Sequence, residues 1–381
     1  MNIVFLETTQ NYGYKFSAAN TKVELLAKGL SQEGHACFIL NGLRGYDGIR
    51  KKEKKLVDKV GEVITFPKRR MPLIGQVFNF PALVQELKRL SKGDDKSILV
   101  LASPYVHIYF IYVFLGRMFG YKIVTISHEW LPTIKRRLWI QNVLSSVYAM
   151  TFGRGIHAIL PISHYIWDKC EHFGKPMLMT PILGEYPNEV IKERKEKSFV
   201  YCVYALYYRV ITMIVDSYKE YCNFSKDPYG LTLVLNGTLD QINRVRAYID
   251  EAALSCRIEI KTKLPYLELI RTYRAASALL IPLDPDYEQD HARFSQKIAE
   301  YLSSGSPVIS NAVGEIPYYF EDGKDMIITG YSVKGFSESF KWVQENPEKS
   351  TEIGLRGFET GKAVFNYQTF GKKLSSFLKT L

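Results

Sequence analysis

The chain is 381 residues long, 46% hydrophobic and 23% charged, and its 50 Lys and Arg against 39 Asp and Glu leave a formal charge of +11 at pH 7. These figures exclude a disordered or fibrous chain and predict two folded domains of roughly 150–200 residues each. The five cysteines, Cys37, Cys170, Cys202, Cys222 and Cys256, are odd in number, scattered and never spaced as CxxC; this excludes a disulfide framework and a zinc site and fits buried thiols in a reducing compartment.

The N-terminal "MNIVFLETTQ" lacks the basic start and cleavage site of a secretory leader and reads as a first strand, so a cytoplasmic protein is expected. A polar loop with Gly13 follows, then a helix with Val23, Leu26, Ala27 and Leu30 on one face, and "EGHACFIL" leads into a second strand. Basic clusters stand at Arg50 to Lys55, Lys68 to Arg70 and Lys135 to Arg137. They suit nucleic acid, anionic lipid, a phosphorylated ligand, or simply solvated helix faces. No zinc-finger, RNA-recognition or homeodomain pattern accompanies them, so no nucleic-acid partner is expected.

Ser97 to Gly116 carries no charge over twenty residues, about the length that spans a bilayer. Ser103 and Pro104 divide it into a strand, "SILVLA", and a helix, "YVHIYFIYVFLGRMF". Strands at 122–127 and 157–163 continue an alternation that predicts a parallel sheet with helices on both faces. The charged "NEVIKERKEKS" (188–198) reads as a linker. A second alternation follows, with strands in "FVYCVYA", "LTLVLNG", "RIEIK", "ALLIPL", "PVIS" and "MIIT". The expected domains are 1–190 and 191–365, with a last helix over 366–381.

Within "ARFSQKIAEYLSSGSPVIS" (292–310), a helix starting near Ser295 sets Lys297, Glu300 and Ser304 on one stripe and Ile298, Tyr301 and Leu302 on the other. Free N–H groups at such a helix start, together with a lysine, make an anion site. Glu300, one turn further in, is placed to accept hydrogen bonds from two neighbouring hydroxyls such as those of a ribose. Spacing alone equally describes a surface i, i+3 ion pair.

The stretch "KIAEYLSSGSPVISNAVGEIPYYFEDGKDMII" resembles the C-terminal signature of the family 4 GT-B glycosyltransferases. Glu300 matches the second glutamate of its E-x7-E pair, Gly305 and Pro307-Val308-Ile309 the turn and strand, and Gly314-Glu315-Ile316 and Asp322-Gly323 the downstream pieces. "GLSQEGHACFIL", "ISHEW", "LPISHYIWDKC" and "LELIRTYRAASALLIPL" resemble other family segments in the expected order. The resemblance implies the GT-B fold, two tandem Rossmann-like parallel-sheet domains facing a cleft, with the C-terminal helix crossing back to the first domain. It implies a sugar moved from a nucleoside-diphosphate donor, as substrate and not cofactor, to a glycan or lipid-linked acceptor hydroxyl with retention, in bacterial-type surface polysaccharide or glycoconjugate synthesis. Glu300 would hold the ribose, Arg293 and the loop of Phe294, Ser295, Gln296 and Lys297 the diphosphate, and Lys263 and Leu264 the base. Arg209 would face the leaving phosphate and His128 the donor sugar, while Gly13 and Gly237 let backbone approach the donor. A lone histidine after a strand is as readily structural, and Gly13 alone is a turn glycine.

The sequence departs from the family at two places. Ala292 stands where the first glutamate of the pair is usual, and the glycine-rich turn after the linker strand is replaced by bulky "CVYALYYRV". These departures leave a non-catalytic scaffold of the same fold as an alternative, and a nucleotide-sugar epimerase as another. No metal site is expected; Asp284 and Asp286 in "LDPDY" read as a turn. The basic and aromatic segments 66–90 and 131–144 suit either peripheral contact with the inner face of a membrane or an ordinary solvated surface.

Overall fold

The computed structural model describes residues 1–6, 18–43, 45–46, 48–68, 72–92, 96–102, 106–133, 139–191, 193–254 and 256–381. Two compact units emerge: Met1–Leu183 with Ala292–Gln296 and Phe365–Leu381, and Gly184–His291 with Lys297–Val364.

The first unit contains β1 (Asn2–Leu6), α1 (Ala18–Gln32), β2 (Ala36–Leu40), β3 (Glu53–Val57), β4 (Gly61–Thr65), α2 (Pro72–Leu90), β5 (Ser97–Leu101), α3 (Val106–Met118), β6 (Lys122–Ser127), α4 (Trp139–Thr151), β7 (Ala158–Pro161) and α5 (His164–Glu171). Its sheet runs β3-β4-β2-β1-β5-β6-β7. Consecutive residues Ile3, Val4, Phe5 and Leu6 are all buried, as expected of a central parallel strand covered on both faces. The apolar stripe predicted on α1 is likewise buried.

Two features escape the sequence reading. The edge strand β3 is antiparallel to β4, so the first sheet is mixed, not purely parallel. The Arg50 to Lys55 cluster forms much of that edge: charged, exposed residues of this kind protect a free sheet edge, and they carry no apolar alternation to announce a strand. Lys52, Lys54 and Arg89 converge on the buried carboxylate of Glu86 and hold its pKa down at about 2 against the desolvation that opposes it.

Right-handed crossovers fix the two helical layers. The α1 connection runs from β1 to β2 in one direction along the sheet, whereas α2, α3 and α4 step toward β5, β6 and β7 in the other. Hence α2, α3 and α4 cover one face and α1 the opposite one. The uncharged run at 97–116 is divided between β5 and α3. No helix among the described residues is long and apolar enough to cross a membrane.

The second unit contains β8 (Ser198–Tyr204), α6 (Tyr208–Phe224), β9 (Gly230–Asn236), α7 (Leu239–Glu251), β10 (Ile258–Thr262), α8 (Tyr266–Ala275), β11 (Ala278–Ile281), α9 (Glu288–Ala292) and α10 (Gln296–Ser303) except for their end residues Ala292 and Gln296, which belong to the first unit, then β12 (Val308–Asn311), α11 (Ile316–Tyr319), β13 (Ile327–Thr329), α12 (Val333–Glu345) and α13 (Pro347–Val364). Its six strands are all parallel, in the order β10-β9-β8-β11-β12-β13. The chain returns to the first unit with α14 (Tyr367–Lys379), which packs on α1 through Phe370, Leu374 and Leu378. A Cβ on Gly29 would lie 2.6 Å from the Tyr367 carbonyl oxygen, and one on Gly371 2.6 Å from the Gly29 Cα. Only glycine at both positions lets the helices approach so closely.

Candidate functional site

The order of the second sheet reverses between β8 and β11: β9 and β10 are added on one side, β12 and β13 on the other. The carboxyl edge at such a switch point is where open α/β sheets hold ligands, and several of the predicted residues gather there. At the start of α6, Arg209 reaches the exit of β11, with Nε 3.7 Å from Asp284 and Nη2 3.4 Å from Asp286. Asp286 N–H donates to Asp284 Oδ1 (3.1 Å), and Asp284 N–H to the buried carboxylate of Asp290 (2.8 Å), so "LDPDY" is a hydrogen-bonded turn. Tyr331, just past β13, has a buried hydroxyl with no hydrogen-bond partner among the described residues. Its pKa is pushed up to about 12, first by burial and then by the field of Asp284.

On the other side of the switch, Gly237 follows β9 at φ +152°. Any Cβ there would strike Gln241, whose side chain completes a capping box with Thr238 at the start of α7. Lys263 follows β10 in the left-handed region at φ 54°, a conformation that costs a non-glycine residue on the order of 1 kcal/mol. It is exposed, and Leu264 beside it is half-buried.

Helix α10 begins at Gln296, directly after Ser295. Ile298, Ala299, Tyr301 and Leu302 are buried, and the Tyr301 hydroxyl accepts a hydrogen bond from Cys202 N–H of β8 (3.1 Å). Lys297 and Glu300 remain half-buried on the opposite stripe. Ser304 does not join them: it lies past the helix end and is buried, its Oγ donating to the Tyr301 carbonyl (2.6 Å). Desolvation raises the Glu300 carboxyl to about 7, and Lys297 opposes this through its field. The carboxylate finds no hydrogen-bond donor among the described residues, so its acceptor capacity is open to a ligand.

The residues preceding α10 divide in role. The amide of Gln296 bridges the Leu183 backbone, accepting from its N–H (3.4 Å) and donating to its carbonyl. Phe294 is buried edge-on to Phe365, with ring centroids 5.6 Å apart. Both side chains therefore hold structure, while Arg293 and Ser295 remain half-buried. Ala292 is fully buried, and its carbonyl accepts from Ser163 Oγ (2.6 Å), the residue that also caps α5. A glutamate here would place a carboxylate in that core.

In the first unit, His128 follows β6. Desolvation, then the charge of Lys22, lowers its pKa to about 3, while a hydrogen bond to the Ala102 backbone opposes them. The ring is neutral, and its buried Nε2 has no partner among the described residues. Lys22 of α1 was not anticipated: it is 2% exposed, donates to the Thr180 carbonyl (2.7 Å), and has its pKa lowered to about 7 by burial. Its spacing from Leu25, Leu26 and Gly29 already set it on the buried face of α1. Gly13 lies outside the described residues.

A family model described as glycosyl transferase-like matches residues 225–375. No curated protein matches the chain by sequence. Among solved structures, sucrose-phosphate synthase from Thermosynechococcus elongatus is similar at TM-score 0.77 and 12% identity, covering 100% of this chain and 98% of that one. Anabaena Alr3699/HepE, in complex with UDP and glucose, is similar at TM-score 0.74 and 12% identity, with 100% of both chains covered. A glycosyltransferase from Rickettsia africae gives TM-score 0.71 at 11% identity, covering 99% and 98%.

The chain has the GT-B fold.

Within that fold the matched region carries α10, the β9 and β11 exits and Tyr331, all parts of the second unit's carboxyl edge. A separate hollow of about 610 Å³, lined by Val190, Lys324, Leu355 and Arg356 among others, shares none of these residues. It lies on α13, the turn before β13 and the linker at 188–190, away from the strand exits.

Proposed function

We propose that the protein is a glycosyltransferase that moves a sugar from a nucleoside diphosphate to an acceptor hydroxyl, with retention at the anomeric carbon. The observation that carries this reading is α10: a helix start and Lys297 beside a half-buried glutamate without a described donor, at the carboxyl edge of a GT-B unit. Breaking the bond between the sugar and the diphosphate leaves negative charge on the departing phosphate. The N–H groups at the start of α10 and the Lys297 ammonium are fixed donors for that charge, an arrangement that stabilises a transition state by a few kcal/mol. The Glu300 carboxylate accepts hydrogen bonds from the ribose hydroxyls.

Arg209 can serve the same phosphate by leaving Asp286; both side chains are largely exposed, so their pairing is weak. In the first unit, neutral His128, whose Nε2 has no partner among the described residues, suits acceptance of a hydrogen bond from a sugar hydroxyl. Lys263 and Leu264 present backbone to the base next to Gly237. Uridine is the first base to test, because the similar HepE structure holds UDP. The acceptor is a glycan or a lipid-linked sugar, consistent with surface polysaccharide or glycoconjugate synthesis.

A thermal-shift panel of nucleotide sugars tests the reading, since ligand binding to the folded state raises its apparent stability. One donor should raise the unfolding temperature and be turned over. Glu300→Ala and Lys297→Ala should each lower donor affinity or turnover at least tenfold, about 1.4 kcal/mol or more, with the circular dichroism unchanged. Unaltered affinity and turnover in both variants would remove the assigned roles, and a bound donor that is never transferred or hydrolysed would mark a scaffold.

A further inference from the structure

The α2–α3–α4 layer of the first unit is built the wrong way round for a solvated surface. The inward residues of α4 are Ser145, Ala149 and Tyr148, whose ring packs on Tyr109 and Phe152, whereas Trp139, Ile140, Val143, Leu144, Val147 and Met150 are exposed, Trp139 by 74%. Ile140, Val143, Val147 and Met150 recur at helical spacing and form one stripe. The neighbouring α3 exposes Phe110, Phe114 and Met118 at i, i+4 and i+8, with Phe114 66% exposed. Next to α3, helix α2 exposes Val77 and Phe78. Helices on one face of one sheet thus carry large apolar side chains outward, and a patch of this extent on a single unit marks an interaction surface.

The charge of the sequence that carries these helices points to the occupant. From Ser97 to Trp167 the basic residues are Arg117, Lys122, Lys135, Arg136, Arg137 and Arg154, and the sole acidic residue is Glu129. Three of the six stand immediately before α4, and Lys68, Arg69 and Arg70 stand immediately before α2. Helices α3 and α4 contain no Asp or Glu, and Glu86 of α2 is neutralised by Lys52, Lys54 and Arg89. Apolar stripes in a stretch of sequence this rich in cations and poor in carboxylates, with a tryptophan at the end of a helix, have the chemistry of a surface lying in the headgroup region of an anionic bilayer. A second copy of the chain would bring two such cationic surfaces together, which electrostatic repulsion disfavours.

We infer that the outer surface of α2, α3 and α4 docks the protein onto an anionic lipid bilayer, with α4 lying in the plane of the interface. This docking is independent of the proposed sugar transfer and requires no donor.

Flotation of the full chain with phosphatidylcholine vesicles, with and without a third of phosphatidylglycerol, tests it. Binding is expected only with phosphatidylglycerol, weakening as salt is added, together with a blue shift of tryptophan emission that is lost in Trp139→Phe. Ile140→Asp/Val147→Asp should reduce vesicle partitioning at least tenfold at an unchanged unfolding temperature. Equal binding to pure phosphatidylcholine, or no binding to either vesicle, would overturn the inference. So would a concentration-dependent dimer that the double variant abolishes, which would assign the surface to a second copy.

Discussion

Helices α10 and α4 are both short and amphipathic, yet they turn opposite stripes outward. In α10, Ile298, Tyr301 and Leu302 are buried and the charged Lys297 and Glu300 face out; in α4, Ser145 and Ala149 are buried and the aliphatic stripe faces out. Periodicity shows that a helix has two faces but does not say which one meets the core. The packed partner decides this. The apolar side of α10 meets β8, where Tyr301 bonds to the Cys202 backbone, whereas α4 rests through Ser145, Ala149 and the Tyr148 ring, which packs on Tyr109 and Phe152, and leaves its aliphatic stripe outside. A reversed stripe therefore points to a surface that something else covers.

One charged substitution made in both helices separates the two cases. Ile298→Asp in α10, where the residue is 1% exposed, should lower stability by about 4 kcal/mol or more and abolish cooperative unfolding of the second unit in a thermal melt.

An intermediate effect is expected at Glu300. Folding raises its carboxyl from 4.5 to about 7, so the folded state holds the proton more tightly than the unfolded chain. Stability therefore falls as pH rises from below 4.5 through 7. Glu300→Gln should match the wild type near pH 4 and exceed it by about 1–2 kcal/mol near pH 8, read from denaturant curves. Equal pH slopes in the two proteins would show that the carboxylate is solvated in the folded state.

The smallest effect is expected in α4. Val143→Asp should leave the unfolding free energy within about 0.5 kcal/mol of the wild type. A loss comparable to that of Ile298→Asp would show that the stripe is core and erase the contrast.

The central strands and the α10 stripe were legible because burial writes periodic apolar patterns into sequence. Residues 3–6 and 278–281 read as strands for that reason, as did Val23, Leu26, Ala27 and Leu30 as a helix face. Strand β3 was hidden because an exposed edge selects Lys and Glu. Ser304 was misplaced because α10 ends one residue earlier and the chain turns inward. Gln296 and Phe294 carry residue types suited to a binding loop, and only the fold shows their side chains committed to Leu183 and Phe365. Lys22 was in plain view on a buried face but was overlooked, since a lone lysine in a helix usually reaches water.

The glycine contact between α1 and α14 also constrains synthesis. Val23, Leu26 and Leu30 of the first helix share a core with Phe370, Leu374 and Leu378, which leave the ribosome more than three hundred residues later. During translation that stripe waits unfinished while the whole second unit emerges and can fold. The half of the molecule made first is therefore the half completed last.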